Sequence, residues 1–371
     1  MKTAIVVLNF GEPSTPERET VVRFLERIFF SNASLEHLPT EEARRARSRE
    51  LAERRAPGLM EEYEEIGGSP LNAQADAQAE ALARELDRRG HDVAVYSAYQ
   101  FIEPLIEEVA ERAIAEGAER IVGLPIYPLC GHSTNVAALN QLRSALDRVG
   151  GDIPLEGVTG WHRHPLYLEL RADAVRRVLD EHGLDLADPG TRLVFSAHGT
   201  PRKYLDGGSG YQRYVEEFCR EMAELTGAPQ VTIGYQNHAN RGIEWTQPDV
   251  ETVIREIEAR TVVVDPVSFM HEQSETLAEL DHELREEAEE RGLRFVRVPV
   301  PHDDPRFARV MADLVEPLLD AGTRAARTDA GLRFAPCRCR PEEGTWCLNN
   351  LPRSEAASSP SPAVAGPEGS A

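Results

Sequence analysis

The run Arg192-Leu-Val-Phe-Ser-Ala-His198-Gly-Thr-Pro201 joins a short apolar segment to a histidine at its end. Apolar and small residues without alternation are typical of a strand that is buried on both faces of a parallel sheet, and Gly199 and Pro201 end it. Ligands bind to open parallel sheets at the carboxyl ends of the strands. The run therefore predicts a parallel sheet with His198 at its ligand-binding edge, and a hydrogen-bonded structural histidine is the alternative.

Other apolar runs between turn residues also have the length of strands. They fall into two groups of four: 3–10, 93–99, 120–127 and 155–161, then 192–198, 230–236, 261–269 and 294–300. Between them lie stretches with apolar spacing of three and four, at 73–89, 103–117, 137–148, 166–182, 211–226, 249–258, 275–291 and 304–320. Alternation of strands and helices predicts an α/β fold with two similar lobes, each a four-stranded parallel sheet flanked by helices.

Two stretches break this alternation. Residues 31–62 are charged and rich in arginine, and an insertion of this length favours a lip over a cleft rather than a part of the sheet. Residues 351–371 are rich in Pro, Ser, Ala and Gly, so we expect a disordered tail. The predicted organisation is an N-terminal lobe at 1–165 with the lip at 31–62, a C-terminal lobe at 166–325, a Cys-containing extension at 326–350 and the tail at 351–371.

Composition narrows the class of protein. The chain has 371 residues and a formal net charge of -22, which would repel a polyanion and argues against nucleic acid as a partner. Apolar runs stay below the ~18 residues of a membrane span, and Met1-Lys-Thr leads directly into the first strand rather than into a signal sequence. We therefore expect a cytoplasmic protein. Five cysteines, an odd number in a cytosolic chain, argue against structural disulfides.

A second candidate segment follows the strand at 261–269. Glu275, Glu279 and Glu283 recur every four residues, so on an α-helix they would share one face. A solvated acidic face is the usual reason for such a pattern, but Glu275 also follows a strand in the same half of the chain as His198. One imidazole and one carboxylate form an open, weak ligand set that suits the transfer of a divalent metal such as ferrous iron.

A third candidate is Gly67-Gly68-Ser69, with Arg55 upstream. Glycines allow close approach of the backbone to a ligand, and a guanidinium can hold a carboxylate through two hydrogen bonds. Paired glycines are equally common in tight turns. The dinucleotide fingerprint G-x-G-x-x-G does not follow the first strand, so this class of cofactor is not indicated.

These segments belong to a series of motifs that resembles the ferrochelatase family over nearly the whole chain, to about residue 320. The motifs are LNFGEP (8–13), YEEIGGSPLN (63–72), IYPLCGHST (126–134), FSAHGTP (195–201), GYQNHANRGIEWTQP (234–248), VSFMHEQSETLAELDHE (267–283) and ADLVEPL (312–318). That family consists of lyases that insert ferrous iron into a porphyrin in haem synthesis. The resemblance implies two Rossmann-like lobes with the porphyrin cleft between them.

The resemblance also assigns roles to residues. His198 matches the active-site histidine and Glu275 its partner carboxylate, both also metal-binding, and Glu279 and Glu283 continue an acidic path for metal or protons. Porphyrin-contacting positions are matched by Phe10, Arg55, Tyr63, Ser69, Tyr127 and Trp245. We expect His198 to be neutral near pH 7, so that it accepts a proton or holds iron while Glu275 relays a proton outward.

Three positions depart from the family pattern. Phe10 replaces a Met or Tyr near the iron, so no axial ligand is expected there. Gln273 replaces a second histidine two residues before the glutamate, which argues against a three-ligand metal site. Gln100 replaces a residue that is basic in many relatives and weakens the expected anchoring of one propionate.

Three of the cysteines lie close together in the sequence, as Cys337-x-Cys339-x7-Cys347. Some ferrochelatases carry a 2Fe-2S cluster on such an extension, with a fourth ligand from the region around residues 126–134. Cys130 is the candidate for that ligand, and His132 stands at the family's own position for it. Zinc binding or an incidental group of thiols is the alternative.

The resulting hypothesis is an enzyme that inserts Fe²⁺ into protoporphyrin IX. Coproporphyrin III as substrate, a non-catalytic tetrapyrrole or metal carrier, and a cobalt chelatase are the alternatives. Leu59 and Met60 offer a small apolar patch that fits either peripheral contact with a membrane or the rim of the pocket. Oligomeric state is left open by the sequence.

Overall fold

The structure is a computed structural model that describes residues 2–150, 152–237, 242–319, 332 and 334–348. Four parallel strands form the main part of the first sheet: β1 (Thr3–Asn9), β2 (Ala94–Tyr99), β3 (Arg120–Pro125) and β4 (Leu155–Val158). Their order is β2-β1-β3-β4, and β1 is buried along its whole length. The helices of this half are α1 (Arg18–Ser31), α2 (Glu41–Ile66), α3 (Leu71–Arg88), α4 (Ile106–Ala115) and α5 (Ala137–Val149).

The second sheet consists of four parallel strands in the order β6-β5-β7-β8. They are β5 (Thr191–His198), β6 (Thr232–Gln236), β7 (Thr261–Pro266) and β8 (Arg294–Arg297). The helices around them are α6 (Pro165–His182), α7 (Arg202–Asp206), α8 (Tyr211–Thr226), α9 (Val250–Glu256), α10 (Ser274–Leu277), α11 (Arg285–Glu290) and α12 (Pro305–Leu319). The predicted α/β class with two parallel sheets is confirmed.

The two sheets share one hydrophobic core. Its buried residues come from both halves, and they include Val7 and Val122 from the first sheet and Phe195 and Val263 from the second. Helix α12 closes this core, because it packs against α3 of the first half as well as against α6 and β3. The sheets separate between β4 and β5, and the exact boundary of the lobes at 165 stays a prediction.

The first sheet is larger than predicted. Two short strands, β9 (Ala335–Pro336) and β10 (Thr345–Cys347), extend it to six strands, with β10 parallel to β4 and antiparallel to β9. The prediction of four strands in this lobe was therefore too few. An uncovered β4 would present unpaired backbone groups at the edge, and β10 satisfies them. Strands of two and three residues carry no periodic pattern, so the sequence could not indicate them.

The predicted lip is a part of a helix pair. Helices α1 and α2 pack on each other around a cluster that includes Val21, Phe24 and Ala56, and α2 continues past residue 62 to Ile66. It ends at Gly67, whose φ of 75° is the left-handed conformation that favours glycine at a helix end. This pair covers the pocket described below.

The predicted tail at 351–371 lies outside the described residues, as does much of the stretch between 320 and 333. Within the part of the chain that the structure describes, no helix combines the length and the apolar character needed to cross a bilayer.

Candidate active site

His198 is the last residue of β5, as the sequence predicts. Its main-chain N–H donates to Ser268 Oγ at 2.9 Å, and its carbonyl oxygen accepts a hydrogen bond of 2.9 Å from the Tyr211 hydroxyl. The hydroxyls of Tyr211 and Ser268 are also 3.0 Å apart. These contacts hold the main chain of His198 on both sides and fix the imidazole at the carboxyl edge of the second sheet.

The His198 imidazole forms an ion pair with Glu275. Nε2 lies 2.9 Å from Glu275 Oε1, and Nδ1 lies 2.5 Å from the Gly199 carbonyl oxygen. With an acceptor at each nitrogen, the doubly protonated ring is favoured. Burial opposes the charged form, but the Glu275 carboxylate outweighs it and raises the pKa of His198 to about 9. The expectation of a neutral His198 near pH 7 is wrong for this arrangement, because the sequence did not show the contact with the carboxylate.

Glu275 is held from a second side by Gln273. The Gln273 Nε2 donates to Glu275 Oε2 at 2.6 Å, so the residue that replaces the family's second histidine supports the carboxylate instead. Glu275 keeps 20% of its side chain exposed, and His198 keeps 33%. The pair is therefore both held in place and open to a ligand in the pocket.

The acidic segment after Glu275 differs from the predicted single α-helix. Helix α10 ends at Leu277, wider π-helical turns cover Glu279–Leu284, and α11 follows. Glu279 lines the pocket and accepts a hydrogen bond of 3.0 Å from Gln236 Nε2, whereas Glu283 is exposed. Burial, with the nearby Glu275 charge, raises the pKa of Glu279 to about 8, and partial desolvation, followed by the charge of Glu62, raises the pKa of Glu283. A segment this short is compatible with both α-helical and π-helical hydrogen bonding, so the sequence does not distinguish the two and the structure does.

The pocket in front of His198 and Glu275 has a mainly apolar wall. Phe10 lies on it, in edge contact with Phe101 at 4.7 Å between ring centroids and with Phe24 at 6.0 Å. Further apolar residues on the wall are Leu25, Ile28, Phe29, Leu35, Leu59, Leu71, Ile126, Leu129 and Met270. Leu59 is 6% exposed, which favours the pocket rim over a membrane-facing patch for this residue.

The predicted porphyrin contacts fall into two sets. Phe10, Arg55, Tyr127 and Trp245 line the pocket. Tyr63 is 0% exposed within the α1–α2 cluster, and Ser69 is 8% exposed, so neither faces the open pocket. For these two residues, contact with a ligand stays a prediction that requires movement of their neighbours.

Two polar contacts shape the rest of the pocket. Arg55 Nη2 forms an ion pair of 2.6 Å with Glu62, and both residues line the pocket. Tyr127 donates from its hydroxyl to Gln100 Oε1 at 2.9 Å, so Gln100 supports a pocket residue rather than offering a charge.

The four candidate cysteine ligands come together although they are far apart in sequence. The Sγ atoms of Cys130, Cys337 and Cys339 lie within 4.8 Å of one another, and Cys347 contacts Cys337. Hydrogen bonds, first from Cys130 and then from Cys339 and Cys347, lower the pKa of Cys337. His132 lies elsewhere: its ring stacks on Tyr204 at 4.2 Å and lines the pocket. The structure thus brings Cys130, rather than His132, to the C-terminal cysteines.

One pocket residue was missed by the sequence reasoning. Glu12 lines the pocket with only 4% of its surface exposed, and it contacts Ser69 and Ser274. The sequence feature that could have identified Glu12 was its place in the motif LNFGEP, three residues after the end of β1. A single glutamate at that point has no spacing partner nearby, so nothing in the local pattern distinguished it from an exposed loop residue.

Comparisons with known proteins agree with these features. A family model described as Ferrochelatase matches residues 2–318. A ferrochelatase of Synechococcus sp. (strain JA-3-3Ab) is 36% identical over 332 residues, which is 86% of this chain and 94% of that protein. A ferrochelatase of Synechococcus sp. (strain RCC307) is 34% identical over 362 residues, which is 94% of this chain and 91% of that protein. With a family match over most of the chain and relatives above 30% identity over nearly their full length, the chain belongs to the ferrochelatase family.

Proposed function

We propose that this protein inserts Fe²⁺ into protoporphyrin IX to give protohaem, with release of two protons. The observation that carries the proposal is the His198–Glu275 pair, with 2.9 Å between Nε2 and Oε1, at the edge of a largely apolar pocket. A flat apolar macrocycle suits such a wall, and a nitrogen beside a carboxylate oxygen suits a divalent iron in transit.

The proposed reaction releases two protons, and three carboxyl groups that follow His198 are the candidates for removing them. In the charged pair, the proton on His198 must leave before Nε2 can accept a pyrrole proton or bind iron. Glu275 lies directly beside it, Glu279 follows as a half-buried carboxyl group with a pKa of about 8, and Glu283 is exposed. We propose that protons pass from His198 through Glu275 and Glu279 to Glu283 and solvent.

The charges of the pocket favour protoporphyrin IX over coproporphyrin III. Among the described residues that line the pocket, Arg55 is the one arginine or lysine, and Glu62 already pairs with it. A ring with four carboxylates would leave most of them without a cation, which is costly in an apolar environment. A ring with two propionates needs fewer cations: one propionate can replace Glu62 on Arg55, and the other can face solvent.

Zinc insertion into protoporphyrin IX, followed by porphyrin fluorescence, tests this proposal. We expect His198→Ala and Glu275→Gln each to lower kcat by about 10²–10⁴-fold, because each removes a group that moves a proton or holds the metal. Porphyrin binding should persist in both variants, since the apolar wall is unchanged. His182→Ala is the matched control, because this histidine is exposed and lies outside the pocket lining.

Full insertion activity in both variants would show that the reaction centre lies elsewhere. A wild-type protein that binds porphyrin but inserts neither zinc nor ferrous iron would favour a carrier. A clear preference for coproporphyrin III in parallel assays would contradict the substrate assignment.

We also propose that Cys130, Cys337, Cys339 and Cys347 hold a 2Fe-2S cluster. The donor set fits: three thiols lie within 4.8 Å of one another, the fourth, Cys347, contacts Cys337, and three of the four residues are buried. Cys337 also accepts hydrogen bonds from Thr159 Oγ1 at 3.1 Å and from the Arg340 N–H at 3.3 Å, which suits a thiolate ligand. When bound, such a cluster would tie the C-terminal extension to the first sheet.

Chemical analysis of protein purified without oxygen tests the cluster. We expect iron and acid-labile sulfide in equal amounts and a visible absorption band, all of which should be lost in Cys337→Ser. The matched control is Cys219→Ala, which removes a buried cysteine of α8 that is not a member of this group. Bound zinc without sulfide, or equal iron content in both variants, would refute the assignment.

Three further expectations remain proposals. The lobes are taken to divide near residue 165, consistent with the separation of the two sheets. A cytoplasmic location and contact with a membrane surface are compatible with the fold, and each requires fractionation of cells to decide.

A further inference from the structure

Glu12 is a buried carboxyl group that the proposed mechanism does not use. It lies in the loop after β1, in the first half of the protein, and only 4% of its surface is exposed. Burial raises its pKa to about 7, against hydrogen bonds from Ser274 and Ser69 that lower it. Burial of a carboxyl group costs free energy, and the several hydrogen bonds of Glu12 indicate that the group has a structural or functional role.

The main chain of Glu12 is fixed by the start of α3. The Asn72 side chain bonds to it in both directions: its Nδ2 donates to the Glu12 carbonyl at 2.7 Å, and its Oδ1 accepts from the Glu12 N–H at 3.0 Å. Ser69, in the turn after α2, donates from Oγ to Glu12 Oε2 at 2.5 Å. Glu12 is therefore a rigid point of the first half of the protein.

The Glu12 carboxylate then reaches across to the second half of the protein. Ser274 Oγ donates to Glu12 Oε1 at 2.6 Å, and the Ser274 main-chain N–H donates to Oε2 at 3.2 Å. Ser274 is the first residue of α10 and directly precedes Glu275. Two bonds to one residue hold both its main chain and its side chain, so they restrict where α10 starts.

Other bonds between the halves hold earlier residues of the same loop. Gln74 Oε1 accepts from the Glu272 N–H at 2.8 Å, and Gln78 Nε2 donates to the Met270 carbonyl at 3.0 Å. Of these, the contact at Ser274 is nearest in sequence to Glu275. Glu275 is also held by the side-chain bond from Gln273 and by a bond of 2.8 Å from Gln236 Nε2 to its carbonyl oxygen.

We propose that Glu12 is a positioning residue that holds Glu275 against His198 by anchoring Ser274 from the opposite lobe. This inference rests on the proposed role of Glu275 in metal insertion. The hydrogen bonds of the Glu12 carboxylate go to Ser69 and Ser274, not to His198 or Glu275. It acts by keeping the Glu275 carboxylate at the distance at which that group and Nε2 serve one ion together.

The main test compares wild type with Glu12→Ala in zinc insertion. We expect kcat/KM for zinc to fall about 10–100-fold, the usual effect of removing a residue that orients a metal-binding group. The affinity for protoporphyrin IX, measured by quenching of protein fluorescence, should change less than about threefold, since the apolar wall is intact. If Glu12 had only a structural role, Glu12→Ala would lower stability but would not lower kcat/KM for zinc while leaving porphyrin affinity nearly unchanged.

A double-mutant cycle tests whether the effect passes through Ser274. Ser274→Ala should lower kcat/KM for zinc in the wild-type background but have little further effect in Glu12→Ala, because its partner is already gone. Glu12→Asp keeps the charge but withdraws both oxygens by about one bond length, ~1.5 Å, and should behave like Glu12→Ala. Glu12→Gln keeps the length and one acceptor oxygen, so an intermediate effect is expected. It also provides a folded variant if the alanine variant does not fold.

Gln78→Ala is the matched control. It removes three other bonds between the halves, to Met270, His271 and His302, so it should lower the thermal midpoint while leaving the zinc parameters near those of wild type. Additive effects in the cycle, or equal zinc parameters in Glu12→Ala and wild type, would overturn the inference.

Zinc affinity measured without porphyrin, by competition with a coloured chelator, separates this inference from the proposed function. Weaker zinc binding in Glu12→Ala supports the anchoring role even if wild type inserts no metal. If wild type is active and Glu12→Ala binds zinc as tightly as wild type, the anchoring role is refuted while the proposed function stands.

Discussion

At the scale of single residues, His271 shows how burial sets protonation near the pocket. It is 6% exposed, and its Nε2 lies 2.8 Å from Gln78 Oε1. Burial, with a smaller effect of His302, lowers the pKa of His271 to about 3. In the native protein the His271 ring therefore stays neutral over a pH range in which the same ring would be protonated in the unfolded chain.

The sign of the resulting pH dependence follows from linkage. A histidine whose pKa is depressed in the native state makes its full contribution to the free energy of unfolding above its unfolded-state pKa of about 6.5. That contribution is lost as the pH falls towards the native pKa of about 3. The free energy of unfolding should fall by up to about 1.4 kcal/mol per pH unit in that window. We predict that His271→Gln, which does not titrate, reduces the loss of thermal midpoint between pH 7.5 and pH 5.

Thermal unfolding at the two pH values checks this prediction. His37→Gln is the control, because that histidine is exposed and its change should leave the pH dependence as in wild type. If wild type and His271→Gln lost the same number of degrees on acidification, the acid sensitivity would have another source.

At the scale of elements, the extension with β9 and β10 depends on a buried arginine. Arg340 is 5% exposed, donates from Nε to Asn140 Oδ1 at 2.7 Å and from Nη1 to Thr345 Oγ1, and so ties the extension to α5. Removal of the guanidinium would leave the buried Thr345 hydroxyl without this donor and would break the tie to Asn140.

We predict that Arg340→Ala lowers the free energy of unfolding by about 1–3 kcal/mol. Denaturant titration measures the change, and the matched control is Arg338→Ala, an exposed arginine of the same segment. Equal stability of the two variants would mean that the extension contributes little to the fold.

The π-helical turns at Glu279–Leu284 show a limit of reasoning about single elements. Helical periodicity predicted that Glu275 and Glu279 lie on one side, and both do line the pocket. The change from α to π turns is seen in a main-chain bond that spans five residues, from the Glu283 N–H to the Ala278 carbonyl oxygen at 3.1 Å. A stretch this short has no sequence signal for that bond.

At the scale of the whole molecule, the net charge of -22 should oppose the compact state through mutual repulsion. Salt screens such repulsion, with a Debye length of about 10 Å at 0.1 M and about 3 Å at 1 M. We predict that the thermal midpoint rises as NaCl increases from about 0.02 to 0.5 M. Scanning calorimetry at fixed pH measures this. A falling midpoint would show that surface Arg–carboxylate pairs outweigh the repulsion.

The sequence by itself determined the class of fold, the motifs of the family, the placement of His198 at the end of a strand, and the position of Glu275 in the segment after another strand. Those features depend on local order: apolar runs, helical spacing and turn residues within a few positions of each other. The same reasoning identified the cysteines as candidate ligands, but it left Cys130 and His132 both open.

Tertiary structure decided what distant segments do when they meet. It joined Glu12 to Ser274 across 262 positions, brought Cys130 to the C-terminal cysteines, and placed the Glu275 carboxylate where it charges His198. Each of these contacts depends on the packing of helices and loops from both halves around one core. Local periodicity specifies which face of a helix or strand a residue occupies. The partner of that residue depends on the closure of long loops and on burial, and both are settled only when the chain folds.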